Sequence, residues 1–581
     1  MKIKHLFGLA VIAAMTASCS SNEDLGTAGP GTGTNEAGVG YATFTINLPS
    51  VSGTRADAGG AEMNEGSAEE YAVKSATALI FQKYGSDEGS YKFVESVTLP
   101  VDEWTDDDAD GITTTSKKLV AKLTNVDTKN TYGVLVLLNN NITGGGVKIE
   151  LPTVGDSYNK WNNQVLSPKL AELAKTGEFY MANAPLNKAG KVTTLVTIDK
   201  DKIYSSKEKA ENGTAADVYV ERGVAKMTVA APGTKTVMDK AKSAATKSEV
   251  TFNNWALDIT NKKTFAVHNI DGLSSKFSTI WATERFTGTN NRVYWGKDPN
   301  YDKDELKLTD ETGESDKKRK DEFNFIDATS KIDKDFANTT NTNPVYCLEN
   351  TFNLTNMYQG QTTRVIFKAT YTPKDDAGNN LAETTDGTFY TIGNMTTILD
   401  NTKLEAAVNA AATSALSDCT VDYKRFKTEE GSHVITLADI KDATGATLVA
   451  GTDYSGKTGT EIVKEINDKL GLKDGRPEEM VGINTYLKGV TYYIARVKHF
   501  GDALTKWNSG EPYGDNNKQY LGRYGMLRNN WYELTVGNVY GPGYPGVPPV
   551  DPTLPDDENE KYLSVSVKIL SWAKRSQSVD L

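Results

Sequence analysis

Leu563-Ser564-Val565-Ser566-Val567-Lys568-Ile569 sets four apolar residues in strict alternation with Ser, Ser and Lys. That period of two gives a β-strand one apolar face and one wet face. A lone strand is not stable in water, so this one needs a sheet to join. Immediately upstream, residues 541–557 (GPGYPGVPPVDPTLPDD) carry Pro542, Pro545, Pro548, Pro549, Pro552 and Pro555. Such a stretch favours extended polyproline II and predicts a semi-rigid spacer reaching roughly 50 Å, at about 3.1 Å per residue. The same strand pattern recurs at the other end of the chain. In Tyr41-Ala42-Thr43-Phe44-Thr45-Ile46-Asn47-Leu48, Ala42, Phe44, Ile46 and Leu48 alternate with Thr and Asn, and Pro49 ends the run. Two strands of one pattern therefore fit the same kind of slot.

Residues 50–70 follow the first strand as a polar, Gly-rich loop whose single basic residue is Arg55, and exposed loops of this kind are where proteases cut. Before the strand, Lys2 and Lys4 precede an apolar run over residues 6–15, then Thr16-Ala17-Ser18-Cys19. This is an export signal. Small residues directly before a cysteine predict a lipoprotein signal with Cys19 as the lipidated first residue, although Thr16 stands where Leu is usual. Residues 20–40 are Gly, Thr, Ser and acid, a leader with nothing to bury. No later segment has the eighteen or so apolar residues that span a bilayer.

The 581 residues are 38% hydrophobic and 24% charged, with 50 Gly and 27 Tyr. Length and composition suit a globular protein of several domains, and the scarcity of long helical periods favours many short strands. Strands are expected within 71–84 and at 91–99, 118–123, 131–138, 193–198 and 218–229, with a helical stretch near 165–173. A second series is expected at 250–259, 264–267, 345–349, 363–371, 388–392, 490–497 and 531–536. Pro232 and the Lys/Ala/Ser-rich residues after it read as a hinge between two domains. Residues 290–343 are charged and turn-rich, which predicts surface loops.

Little in the chain points to catalysis. Gly451-Thr452-Asp453-Tyr454-Ser455-Gly456-Lys457-Thr458 fits the phosphate-cradling spacing, but Gly459 and Thr460 delay the helix after it and no magnesium-binding Asp ends a strand nearby. Asp106-Asp107-Asp108-Ala109-Asp110-Gly111 begins like a calcium loop, yet Lys117 stands where a bidentate Glu belongs. His268, His433 and His499 lack Cys, Asp or Glu at ligand spacing, so no metal site and no cofactor are expected. Cys347 and Cys419 read as buried thiols, and Trp255 and Trp531 as core. A net charge of −12 without a basic stripe argues against nucleic acid as a partner.

Five short segments carry a family resemblance: Val220-Glu221-Arg222-Gly223-Val224-Ala225-Lys226, Tyr346-Cys347-Leu348-Glu349-Asn350-Thr351, Tyr486-Leu487-Lys488-Gly489 ahead of Tyr492-Tyr493, Arg528-Asn529-Asn530-Trp531-Tyr532, and Ile569-Leu570-Ser571-Trp572 through Val579-Asp580-Leu581. In that order they resemble the fimbrilin family of Bacteroidales, the shaft subunits of type V pili. The resemblance implies a mostly β fold of two transthyretin-like β-sandwich domains with a C-terminal donor strand on a proline-rich tether. Its implied organisation is a signal peptide over 1–18, a lipidated leader and first strand over 19–55 removed as a propeptide, domains over 56–230 and 245–540, a tether over 541–561 and a donor strand over 562–581.

The implied function is structural. An arginine-specific, trypsin-like protease would cut between Arg55 and Ala56 and release the strand bearing Ala42, Phe44, Ile46 and Leu48. Leu563, Val565, Val567 and Ile569 of a neighbouring subunit would then fill the groove. Their burial is worth on the order of 6 to 12 kcal/mol before ordering costs. The expected partners are identical subunits in a homopolymer, accessory tip and anchor proteins, that protease, and the outer membrane through the lipid before cleavage. The expected location is a surface fimbrium that supports adhesion, with no enzymatic activity. A lipid-anchored tip or anchor subunit and a surface glycan-binding lipoprotein are the alternatives.

Overall fold

Ala78-Leu79-Ile80-Phe81 and Val134-Leu135-Val136-Leu137-Leu138 are buried along their whole length, and they form the centre of the first sheet. Continuous apolar runs of this kind are what a strand covered on both faces requires. The computed structural model describes residues 33–48, 66–101, 116–140, 149–188, 191–230, 232–277, 293, 295–306, 313–326, 337–338, 343–393, 397–473, 480–500, 505–508, 510–548, 550, 555–556, 563–571 and 575–576.

The first lobe is built from β1 (Gly40–Asn47), β2 (Ala76–Gln82), β3 (Lys92–Leu99), β4 (Ser116–Leu123), β5 (Tyr132–Leu138), β6 (Met181–Asn183) and β7 (Ala216–Arg222). They lie in the order β3-β2-β5-β6-β7-β1-β4. The sheet curls until its two ends meet. The Glu95 carboxylate on β3 accepts the N–H groups of Thr124 and Asn125, just beyond β4, at 3.0 and 2.9 Å. Enclosed between the layers is one core that includes Phe44, Ile46, Leu79, Phe81, Leu137 and Val218.

At Gly223 the chain changes lobe. A Cβ on this residue would lie 2.8 Å from the Tyr180 ring, so only glycine fits the close approach. The stretch 218–229, expected as one strand, is therefore two strands in two different sheets: β7 ends at Arg222, and β8 (Ala225–Val229) joins the second lobe. The changeover precedes the expected boundary at 230. The second lobe continues with β9 (Thr234–Asp239), β10 (Ala244–Asp258), β11 (Val345–Cys347), β12 (Arg364–Thr372), β13 (Val490–Arg496), β14 (Asn530–Val539) and β15 (Leu563–Ser571). Their order is β11-β8-β14-β9-β10-β12-β13, with β15 paired to β14. Met227, Trp255, Phe367, Tyr493, Tyr532 and Leu534 fill its core.

Between β12 and β13 the chain inserts a smaller α+β unit. It packs α1 (Asn401–Ala415) and α2 (Gly459–Leu470) beside the short strands Phe389–Ile392, Ile483–Tyr486 and Gly431–His433. Leu404, Val408, Ile462 and Ile466 supply its core. α1 starts where Asp400 accepts the Lys403 N–H, and α2 stops at Gly471, which is left-handed at φ 67°.

Two further expectations differ from the fold. Residues 264–267 form a single bridge, Leu166 with Thr264, instead of a strand. Within 290–343, Val293, Trp295 and Tyr301 are buried with Phe352, Phe500 and Tyr520 in a core of their own, so this region is more than surface loop. No described helix is long and apolar enough to cross a membrane.

Candidate functional site

β1 is held on both edges. It runs parallel to β7, with Phe44 opposite Ala216 and Asn47 opposite Tyr219, and antiparallel to β4, with Gly40 opposite Leu123 and Asn47 opposite Ser116. Ala42, Phe44, Ile46 and Leu48 all point into the core, none more than 3% exposed. On the other face the Thr43 hydroxyl donates to Ala210 O at 2.5 Å. Among the described residues β1 alone joins β4 to β7, so lifting it out would bare two unpaired edges and the apolar slots of four side chains. Residues 49–65 after it, including Arg55 and Ala56, lie outside the described residues, as does Cys19.

The other half of the expected exchange lies in the other lobe. β15 pairs antiparallel with β14 of its own chain, setting Leu563 opposite Val539, Val565 opposite Val536, Val567 opposite Leu534 and Ile569 opposite Tyr532. Only the two-residue segment Arg575–Ser576 is hydrogen-bonded to its outer edge among the described residues. Within one chain the two look-alike strands thus occupy different sheets.

The polyproline segment departs from the free spacer expected of it. Residues 541–548 lie mostly buried along the second lobe, and Asp556 is fully buried. Proline composition favours an extended backbone, but Tyr486, Tyr492, Tyr493 and Arg364 give that backbone a surface to bind.

Three of the five segments quoted for the family resemblance, 220–226, 346–351 and 528–532, converge between the lobes. Arg222 is fully buried; its Nε donates to Glu70 O at 2.7 Å and its N–H to Asn529 Oδ1 at 3.2 Å. Lys226 Nζ sits 2.7 Å from Glu70 Oε1 and 3.8 Å above the Trp531 ring, while the Tyr346 hydroxyl donates to the same carboxylate. Burial pushes the Glu70 pKa up, but Lys226, Tyr346 and Arg222 outweigh it and hold the carboxyl below its ordinary range. Beside this cluster Arg528 Nε pairs with Glu349 at 3.0 Å and His268 Nδ1 with Glu221 at 2.7 Å. Glu70 is the member that sequence reading missed. Its signal was the Ser67-x-x-Glu70 capping box that opens the short helix Ala68–Tyr71.

The remaining motifs have structural partners. At residues 451–458, Thr458 caps α2 and Glu461 returns its carboxylate to the Thr458 N–H at 2.8 Å, so the helix N-terminus already holds an anion. Lys457 is paired with Glu465. Cys347 and Cys419 are free, buried and in separate cores, and burial pushes the Cys347 thiol up to about 12. Trp255 is core, and Trp531 donates from Nε1 to Thr228 Oγ1 at 2.7 Å. Residues 106–110 lie outside the described residues. Among the described residues no His, Cys, Asp and Glu cluster could hold a metal ion.

Residues 484–578 match the family described as major fimbrial subunit protein type IV, fimbrillin, C-terminal. Among solved structures, the chain is similar to a candidate cell adhesion protein from Parabacteroides distasonis, at 10% identity over 92% of this chain and 99% of that one, with a TM-score of 0.35. It is also similar to a fimbrial assembly protein from the same organism, at 12% identity over 39% of this chain and 66% of that one, with a TM-score of 0.23. A search of curated proteins gives no match.

Proposed function

We infer, from the match of residues 484–578 to the fimbrillin C-terminal family, that this protein is a fimbrial subunit, a shaft component polymerised by strand exchange. The observation that carries the reading is the seat of β1: its apolar face buried, paired on both edges, and followed by the chain segment that contains Arg55. In the precursor β1 keeps the groove closed. Export as a lipoprotein through Cys19 delivers the chain to the outer membrane, and cleavage between Arg55 and Ala56 by an arginine-specific protease frees the strand bearing Ala42, Phe44, Ile46 and Leu48. The vacated slot has two unpaired edges and an apolar floor, which an amphipathic strand of alternating pattern satisfies on both counts.

Leu563, Val565, Val567 and Ile569 of a second copy supply that strand. Donor and groove lie at different places on each subunit, so the contact is heterologous and adds copies end to end as a filament. Tip and anchor proteins complete the assembly at the cell surface, where the fibre supports adhesion. The domain organisation that goes with this reading is a propeptide to residue 55, two β lobes and a C-terminal donor.

The test is an Arg55→Ala variant beside a deletion of 562–581. Both are expected to give folded monomer and no polymer on electrophoresis without boiling, with Ala56 as the first residue of the mature wild-type protein by Edman sequencing. Normal fibres from either variant would overturn the corresponding half of the reading.

A further inference from the structure

One row of side chains across the second sheet is short of a negative charge. The register sets Asp258 opposite Arg364 and Arg364 opposite Arg496, and directly opposed residues on adjacent strands share a face. All three are buried, and Arg364 Nε donates to Asp258 Oδ2 at 2.7 Å. Two guanidiniums therefore share one carboxylate within the row. An uncompensated charge out of water is strongly unfavourable. The missing carboxylate comes from outside the sheet: Asp556, fully buried, places Oδ1 3.7 Å from Arg496 Nε and accepts the Thr362 hydroxyl on Oδ2. Among the described residues, the two guanidiniums then face two carboxylates.

The rest of the segment is matched in kind. Prolines have no N–H to donate, so a proline-rich backbone offers mainly carbonyl oxygens. The lobe answers with donors. Tyr493 Oη reaches Gly541 O at 2.7 Å, Tyr486 Oη reaches Gly543 O at 3.0 Å, Arg364 Nη2 reaches Pro548 O at 2.7 Å and Gln359 Nε2 reaches Pro555 O at 3.2 Å. At Tyr544, which is not a proline, the segment exchanges two backbone hydrogen bonds with Tyr492, at 2.8 and 2.9 Å.

We propose that residues 541–548 and 555–556 of the proline-rich segment are a strap docked on their own lobe, and that Arg364, Arg496, Thr362 and Asp556 are positioning residues that fix the base from which β15, paired to β14 in the monomer, would move out as donor. The inference rests on the strand-donor reading of β15 and adds to it a mechanical consequence. A donor based at Asp556 reaches a neighbour from one fixed place, so successive subunits take one repeat and the fibre is stiff. A donor on a free tether would let each joint swing over tens of ångströms.

Hydrogen exchange followed by mass spectrometry on the full chain, before polymerisation, reads the strap directly. Peptides covering 541–548 are expected to be protected in the wild type and to exchange at least tenfold faster in Asp556→Asn. Fibres grown from that variant are expected to lose the regular axial repeat seen by electron microscopy. Should Asp556→Asn fail to fold, the Tyr486→Phe and Tyr493→Phe double variant removes two hydroxyls without leaving a buried charge, and the same two readouts apply. Wild-type exchange at 541–548 as fast as in an unfolded chain, or variant fibres with the wild-type repeat, would overturn the proposal. The deletion of 562–581 separates the two ideas. Polymer from that deletion removes the donor reading, whereas protection at 541–548 in the monomer does not depend on it.

Discussion

At Glu70 a carboxylate only 3% exposed meets Lys226 at 2.7 Å and the Tyr346 hydroxyl, while its backbone oxygen takes Arg222 Nε. Three charged or polar groups from two distant stretches of chain therefore meet at this one residue, and removing its carboxylate takes from Lys226 its 2.7 Å ion pair. Glu70→Ala is expected to lower unfolding stability by about 3 to 5 kcal/mol in urea titration. The apolar pair Glu70→Leu with Lys226→Met should recover most of that loss, because a buried pair contributes mainly by leaving no charge alone. A single-variant loss below about 1 kcal/mol would show that the pair is idle. The sequence displayed most of the members, in Val220 to Lys226, Tyr346 to Thr351 and Arg528 to Tyr532, but not their meeting. Arg222 and Asn529 are 307 positions apart, and no local period encodes a contact at that range.

Among the elements, period-two strands were the legible ones. β1, β3, β5, β12, β13 and β14 lie close to where alternation or apolar runs put them, since a sheet covered on one or both faces imposes those patterns directly. α1 was missed although Leu404, Val408, Ala411 and Ala415 form a buried stripe behind an Asp400 cap, because alanine marks a helix face only weakly. The division of 218–229 at Gly223 was hidden for a different reason. Both halves alternate in the same way, and only the Tyr180 ring against the glycine reveals the crossing. For β1 the proposed removal makes a sharp prediction. Phe44→Ala opens a cavity in the first core and should destabilise the uncleaved precursor by about 3 to 5 kcal/mol in chemical denaturation. Mature polymer, from which β1 has gone, should melt unchanged. Equal losses in both forms would mean that β1 stays in the fibre.

For the whole molecule, pH dependence collects the buried titratable groups into one measurable curve. Burial raises Glu88 to about 7 against the N–H groups of Thr194 and Leu195, and raises Asp298 to about 7 against those of Thr351 and Asn300. Burial alone would lower His268, but Glu221 and Glu349 outweigh it and its pKa is raised. In each case the folded chain holds its proton more tightly than the unfolded chain. Their stabilisation is thus complete below the unfolded value and is lost as pH rises through the folded one. Glu70 and Glu322 are held low, so their contribution is present above about pH 4.5 and disappears below it. The two trends leave a maximum near pH 5. Melting of the purified precursor by calorimetry should peak there and decline steadily to pH 8, the two raised carboxyls contributing on the order of 3 kcal/mol each to the fall. Glu88→Gln with Asp298→Asn, which keeps both sites neutral, should flatten most of the decline. A melting temperature that climbs from pH 5 to pH 8 would show that these carboxyls ionise freely in the folded chain.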